Sequence, residues 1–245
     1  MTAGGPNTSI SAPERAEVHH SHRDVTGGWL RPAVFGAMDG LISNFSLISG
    51  FAGADAARHL VILSGLGGLV AGAFSMAVGE YVSVASQRDL ARAEIAIERH
   101  ELRHNAAAER AELAELYISR GVQPDLAHEV ARQLSKDPEL ALEIHTREEL
   151  GVSAEALPSP LLAASSSFVS FGLGAVLPLL PFVLGASALF PAAIVAGVAL
   201  FLAGATVARI TARPWWFGGI RQLLLGAAAA VITFGVGAAI GTHIS

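Results

Sequence analysis

Glutamates recur at three-residue intervals in the middle of the chain. Glu98 and Glu101 form one such pair, and Glu109 and Glu112 form the next. Residues three apart share a face of a helix, so each pair holds two carboxylates side by side. Clustered like charges need a counter-charge, and a bound divalent cation supplies it most simply. The spacing therefore predicts a metal-collecting surface, with an ordinary solvated acidic face as the alternative.

Charges on the first of these predicted helices are also separated by sign. At about 100° per residue, Glu98 and Glu101 lie in one stripe, whereas Arg99 and Arg103 lie well away from it. A helix that is solvated all round more often interleaves opposite charges. The separation favours a cation-binding role for these carboxylates.

A second set of polar residues lies within apolar sequence. Asp39 falls in the apolar span 32–54, and Met76 and Glu80 fall in the span 60–86. Met76 and Glu80 are four apart and share a helix face. A carboxylate in hydrocarbon costs about 2.5–3.5 kcal/mol on insertion scales, so it usually faces a partner or a water-filled path. Ordinary packing for Met76 and an interfacial position for Glu80 are the alternatives.

Composition places both sets in a membrane protein. The chain is 52% hydrophobic, only 15% of its residues are charged, and the charges are bunched. An apolar span of about twenty residues is long enough to cross a bilayer as a helix. The pattern predicts an all-α membrane protein with five transmembrane helices and a cytosolic helical metal-binding domain inserted between helices two and three. The predicted spans are 32–54, 60–86, 161–185, 187–208 and 220–241.

The same pattern predicts how the chain is divided. The predicted segments are a polar disordered cytosolic tail (1–28), transmembrane helices one and two (29–88), the metal-binding domain (89–153) and transmembrane helices three to five (154–245). Within the metal-binding domain, helices are expected near 89–104, 106–119, 125–135 and 138–149. Asp137 followed by Pro138 is typical of a helix start, and Gly151 is typical of a helix end.

Residue usage excludes several kinds of site and partner. The chain has no cysteine, so disulfides and thiolate metal sites are excluded. Metal ligands must be carboxylate, imidazole, thioether or backbone oxygen. The net charge of -5 gives no indication of nucleic-acid binding. The sequence shows no nucleotide-binding loop, so transport driven by ATP is not expected.

Basic residues predict the orientation in the membrane. Among the lysines and arginines, only Arg58 falls in the loops after spans one and three or in the C-terminal tail. The positive-inside rule therefore places the N-terminus and the acidic domain in the cytoplasm and the C-terminus outside. The expected location is the cell membrane, as a multi-pass protein in contact with lipid.

Four motifs carry a family resemblance. They are MDGLISNFSLISG (38–50), AGAFSMAVGEYVSVASQRD (71–89), FVSFGLGAVLPLLPF (168–182) and GGIRQLLLGAAAAVITFGVG (218–237). In this order they resemble the vacuolar iron transporter family over nearly everything after Arg23. The resemblance implies a homodimer with five membrane helices per subunit. It also implies the exchange of cytosolic Fe²⁺, or sometimes Mn²⁺, for protons.

The resemblance also implies roles for individual residues. Asp39 and Met76 match the translocation pathway of the family. The glutamates that match its metal-binding domain are Glu98, Glu101, Glu109, Glu112 and Glu149.

The chain departs from the family pattern at several positions. His145 and Thr146 stand where many members have a methionine pair, so His145 joins the expected metal ligands. Gly68 stands where some members have glutamate, and Glu80 is expected to supply the missing carboxylate. Asn44 stands where many members have proline.

Together these features predict a non-enzymatic exporter of cytosolic Fe²⁺ or Mn²⁺ that works by proton exchange. One alternative is a manganese-selective exporter, and another is a membrane-anchored metal buffer or sensor that does not transport. A ferroxidase of the ferritin-like type would need Glu-x-x-His pairs from several helices. Glu101 and His104 form one such pair without a clear partner pair, which argues against this alternative.

Overall fold

The computed structural model describes residues 28–152 and 157–244, and these residues contain helices and no strand. The predicted disordered tail lies outside the described residues except for Gly28. Eight helices occur in the described ranges: α1 (Leu30–Gly53), α2 (Arg58–His104), α3 (Ala106–Ser119), α4 (Pro124–Leu134), α5 (Pro138–Glu148), α6 (Pro160–Val183), α7 (Leu189–Ile210) and α8 (Trp215–Ile244). Helices α1, α2, α6, α7 and α8 are long and apolar enough to cross a membrane, which confirms the five predicted spans.

Helix α2 joins the two parts of the molecule. It runs without interruption for 47 residues, from apolar sequence into the acidic segment. At about 1.5 Å per residue it is about 70 Å long, more than twice the roughly 30 Å hydrocarbon core of a bilayer. The helix ends at Asn105, whose φ of -124° and ψ of 31° leave the helical region. A single rigid element therefore connects Met76 and Glu80 to Glu98 and Glu101.

The apolar body consists of α1, the first part of α2 (58–88), α6, α7 and α8. Helix α1 packs most extensively against α6, and α2 also packs against α6. Gly40 and Gly174 lie at the α1–α6 contact, where a Cβ on either glycine would overlap backbone atoms of the facing helix. Ile48 and Phe182 are fully buried in the main apolar cluster. The close approach of these helices therefore depends on small residues.

The acidic body consists of the last part of α2 (89–104) with α3, α4 and α5. Asp137 caps α5, because its side chain accepts hydrogen bonds from the backbone N–H of Glu139 at 3.0 Å and of Leu140 at 3.4 Å. Pro138 occupies the first turn of α5, and Gly151 follows the helix with a φ of 66°. The predicted start and end of this helix are therefore confirmed. A buried cluster that includes Leu113, Ala114 and Ala131 joins α3 to α4.

Candidate metal centre

Three helices of the acidic body bring one side chain each to a common point. Glu98 comes from α2, Glu109 from α3 and His145 from α5, and their ligand atoms all lie within 4.8 Å of one another. Among the side chains that the structure describes, no other group of three from His, Asp and Glu converges this closely. Glu149, the C-cap of α5, joins the group through a hydrogen bond with His145. We call these four residues the carboxylate–imidazole centre.

Local sequence explains how the centre is assembled. Asn105 ends α2 and precedes α3, so Glu109 lies in the first turn of a new helix rather than farther along α2. The amide of Asn105 donates a hydrogen bond of 2.5 Å to Glu101 Oε2. His145 and Glu149 are four residues apart at the end of α5 and so lie on the same side of that helix.

His145 lies at the middle of the centre and is fully buried. Its Nδ1 is 2.9 Å from Glu149 Oε1, 3.2 Å from Glu98 Oε1 and 3.8 Å from Glu109 Oε2. One ring nitrogen carries at most one proton, so it cannot donate to three carboxylates. Glu98 Oε1 and His145 Nε2 are buried without a hydrogen-bond partner. A cation between these groups would use the lone pair that Glu98 leaves unpaired.

The electrostatics of the centre show an excess of negative charge. Burial, followed by the charge of Glu149, raises the pKa of Glu98 from 4.5 to about 7, although His145 acts in the opposite direction. Burial and the charge of Glu112 likewise raise the pKa of Glu109. At neutral pH, Glu98 is therefore divided between its protonated and its charged form. A proton and a metal ion would compete for the same oxygen atoms.

Glu101 and Glu112 surround the centre without converging on it. Glu112 is exposed, and Glu101 is half-buried and hydrogen-bonded to Asn105. Both carboxylates raise the pKa of Glu109, so their charges act on the centre. Their placement suits residues that attract a cation before it reaches Glu98 and Glu109.

His145 and Thr146 stand in place of the family's methionine pair, and only the His145 side chain contacts the carboxylates. Thr146 is also fully buried, but its hydroxyl donates to the carbonyl of Glu143 at 3.2 Å within α5. The donors of the centre are thus carboxylate oxygen and imidazole nitrogen. This set suits divalent ions of hard to borderline character, such as Mn²⁺ and Fe²⁺.

The predicted translocation residues are not gathered in the same way. Asp39 Oδ1 accepts a hydrogen bond of 2.7 Å from Ser43, one turn along α1. Met76 packs against an apolar cluster that contains Phe171 and Ala175. Glu80 is half-buried on α2, and neither it nor Asp39 belongs to a converging group of three ionisable side chains in the described parts of the chain. The pathway through these residues therefore stays a prediction.

Gly68 and Asn44 face each other across the contact between α1 and α2. Asn44 is buried, and its amide nitrogen donates to the carbonyl of Ala175 at 2.6 Å. A Cβ at position 68 would lie 2.6 Å from Leu47 Cδ2 and 3.0 Å from Asn44 Oδ1. Asn44 and Gly68, which both differ from the family pattern, therefore contact each other. The Asn44 and Leu47 side chains fill the space beside Gly68. Sequence reasoning found each residue separately but missed their contact.

The fold and the centre together define a multi-pass helical membrane protein that carries a candidate metal site outside its apolar body. Residues 30–238 match the model of the VIT family, and the chain belongs to this family.

Curated relatives extend the match over most of the chain. A vacuolar iron transporter of Acanthamoeba castellanii is 40% identical over 86% of this chain and 78% of its own length. Vacuolar iron transporter 1 of Arabidopsis thaliana is 30% identical over 88% of both chains. Vacuolar iron transporter homolog 1 of Oryza sativa is 37% identical over 88% of this chain and 75% of its own length. The resemblance seen in the sequence motifs is confirmed.

Proposed function

We propose that this protein is a metal-ion transporter that moves Fe²⁺ or Mn²⁺ out of the cytosol in exchange for protons. Family membership and the names of the relatives support transport of a metal ion. The observation that carries the proposal is the carboxylate–imidazole centre, in which Glu98, Glu109 and His145 converge around a buried oxygen without a donor. Helix α2 leads from this centre into the apolar body without a break.

We propose that the acidic body faces the cytosol. Its arginines, together with those near the N-terminus, give this side of the membrane most of the basic residues. Glu101 and Glu112 attract the ion, and Glu98, Glu109, His145 and Glu149 bind it. Asp39, Met76 and Glu80 then carry it between the membrane helices of a homodimer in the cell membrane, with the C-terminus outside.

Proton coupling follows from competition for carboxylates. The pKa of Glu98 near 7 means that proton release accompanies metal binding at neutral pH. At a carboxylate within the membrane, such as Asp39, a metal ion and a proton would neutralise the same charge. A proton gradient would therefore favour metal release on the acidic side.

Iron is the preferred ion in this proposal. Affinity for nitrogen donors rises from Mn²⁺ to Fe²⁺ along the Irving–Williams order, and His145 places an imidazole among the carboxylates. A manganese-selective exporter is the closest alternative, and competition between the two ions in one flux assay separates them.

Proteoliposomes with an imposed pH gradient test transport directly. We expect the wild-type protein to move Fe²⁺ and Mn²⁺, and Asp39→Asn to slow both fluxes by about tenfold or more, since it removes the charge that balances the ion in hydrocarbon. Asp89→Asn, the same change at an exposed position of α2, is the matched control and should keep wild-type flux. Flux of Asp39→Asn at the wild-type rate would contradict the pathway. Metal binding without any flux in the wild type would instead favour a buffer or sensor.

A further inference from the structure

Two histidines lie outside the carboxylate–imidazole centre, one helical turn apart near the end of α2. His100 and His104 are both exposed, and their rings stack with centroids 4.0 Å apart and planes inclined by 29°. Residues at i and i+4 are neighbours on a helix surface. This is the spacing at which two imidazoles bind zinc on the helices of metalloproteases.

A hydrogen bond holds His104 in a form that can bind a metal. His104 Nδ1 lies 2.8 Å from the backbone carbonyl oxygen of His100. A carbonyl oxygen only accepts, so Nδ1 is the donor, and in the neutral ring Nε2 carries the lone pair. Histidines that ligate metals usually donate their other ring N–H in this way, which fixes the tautomer and the ring orientation. This hydrogen bond therefore points to His104 Nε2 as a ligand atom.

The neighbouring arginines are directed to another side of α2. Arg99 and Arg103 line a cavity with Ser135 and Glu139, between the end of α2 and the start of α5. At about 100° per residue, the histidine pair lies between this arginine stripe and the stripe of Glu98 and Glu101. A cation at the pair therefore does not have to approach through the guanidinium groups.

The pair has the character of a binding site and not of a hydrolytic site. A catalytic zinc site keeps three protein ligands. In the residues that the structure describes, no third His, Asp or Glu converges with His100 and His104. The intervening Glu101 is held by Asn105. Water would fill the remaining positions around an ion at this pair.

We propose that His100 and His104 form a second metal site, on the surface of α2, that takes imidazole-preferring divalent cations such as Ni²⁺, Cu²⁺ and Zn²⁺. Two imidazoles without a carboxylate favour these later metals over Mn²⁺ and Fe²⁺. The pair offers no carboxylate, so it should discriminate against Mn²⁺ more strongly than the carboxylate–imidazole centre does. Helix α2 would then contribute Glu98 to the site of the transported ion on one face, and His100 and His104 to a second metal site on the neighbouring face.

Ni²⁺ titration of the full chain in detergent tests the proposal without any transport measurement. His19, His20 and His22 are replaced by alanine in every sample, because histidines elsewhere in the chain also bind Ni²⁺. We expect His100→Ala and His104→Ala each to lose about one Ni²⁺ per chain relative to this background. His128→Ala, which removes an exposed histidine of α4, should lose none.

A relocated pair separates chelation from a merely local effect. Ala96 is exposed one turn before His100, so Ala96→His combined with His104→Ala recreates the i, i+4 spacing. We expect this double variant to regain the lost Ni²⁺ and to bind Mn²⁺ as the background does. Unchanged Ni²⁺ binding in His104→Ala, or no recovery with Ala96→His, would overturn the proposal. Loss of the same Ni²⁺ in Glu98→Gln would also overturn it, because the two sites would then be one.

Discussion

The acidic body and the apolar body both carry ionisable groups at helical spacing, but only the acidic body gathers them. Glu98, Glu109 and His145 come from three helices and converge in a buried site. In the apolar body, Asp39 finds its hydrogen-bond partner one turn away on its own helix, and Glu80 is half-buried on another. The molecule therefore has an assembled candidate binding site in one region and separate polar groups in the other.

The difference has a physical cause in how the two regions are built. Helices α3, α4 and α5 are 14, 11 and 11 residues long, and helix breaks between them allow side chains from different helices to meet. The membrane helices meet along small residues and bury mainly apolar side chains between them, so their contacts bring few ionisable groups together. The exposed apolar residues of α2, among them Phe74 and Val78, form a face suited to lipid or, in the proposed homodimer, to the second copy.

The largest expected effect separates binding from transport. Combined Glu98→Gln and Glu109→Gln should weaken Mn²⁺ binding to the full chain by about 100-fold or more, because two charged ligands are lost. Asp39→Asn should leave this binding unchanged while it slows flux. Titration of Mn²⁺ followed by electron paramagnetic resonance measures the free ion. Combined Glu94→Gln and Glu115→Gln is the matched control, since both residues are exposed. Loss of Mn²⁺ binding in Asp39→Asn, together with unchanged Mn²⁺ binding in the combined Glu98→Gln and Glu109→Gln variant, would contradict this division between binding and transport.

The next effect is a pH dependence that belongs to the acidic body. Glu98 has a pKa of about 7, so it gains a proton as the pH falls through that value and loses its capacity as a ligand. Mn²⁺ affinity should therefore fall by up to about tenfold for each pH unit below about 7. Glu98→Gln should flatten this profile. A wild-type profile that is level between about pH 6 and about pH 8 would contradict the assignment.

The same shift has the opposite consequence for the stability of the metal-free protein. A raised carboxyl pKa stabilises the folded state most below the ordinary value of 4.5, and this contribution is lost as the pH rises through about 7. The thermal midpoint of the metal-free protein should therefore fall between about pH 5 and about pH 8. Glu98→Gln should remove most of that fall. An equal fall in the variant would show that other groups cause it.

A smaller effect on affinity tests the imidazole. His145→Ala should weaken Fe²⁺ binding by about tenfold, because it removes the nitrogen donor at the middle of the centre. Thr146→Val is the matched control, since Thr146 is equally buried and its hydroxyl contacts only a helix carbonyl. Calorimetry under anaerobic conditions measures both variants. Equal affinities in His145→Ala and the wild type would remove His145 from the ligands.

The smallest expected effect belongs to the apolar body. Gly68→Ala should destabilise the protein by about 1–3 kcal/mol, because its Cβ would overlap Leu47 and crowd Asn44. Gly67→Ala should have little effect, since a Cβ there meets no atom within 4 Å. Thermal midpoints in detergent compare the two variants. A midpoint for Gly68→Ala as high as that of Gly67→Ala would show that Leu47 and Asn44 move aside at little cost.

Local signals in the sequence were enough to predict the helices. Asp137 marks the start of α5 because its side chain accepts hydrogen bonds from free backbone N–H groups, and Pro138 does so because it has no N–H to leave free. Both effects act within one turn. Apolar length alone predicted the five membrane helices, and the structure confirms them. Both kinds of signal depend on residues that are near one another in the chain.

Contacts between distant residues could not be predicted in the same way. His145 lies close in sequence to the glutamates and departs from the family pattern, but nothing in its spacing from Glu98 indicated that it would be fully buried between carboxylates. The contact between Asn44 and Gly68 likewise depends on how α1 and α2 pack. Equal spacing within the two glutamate pairs hid the difference between Glu109, which is buried, and Glu112, which is exposed.

The position of bound Mn²⁺ tests the central claim most directly. Anomalous scattering from crystals of the full chain grown with Mn²⁺ locates the ion without reference to any assay of transport. The account predicts a peak between Glu98, Glu109 and His145, the side chains that already converge. An ordered Mn²⁺ bound elsewhere on the acidic body, with none at this point, would contradict it.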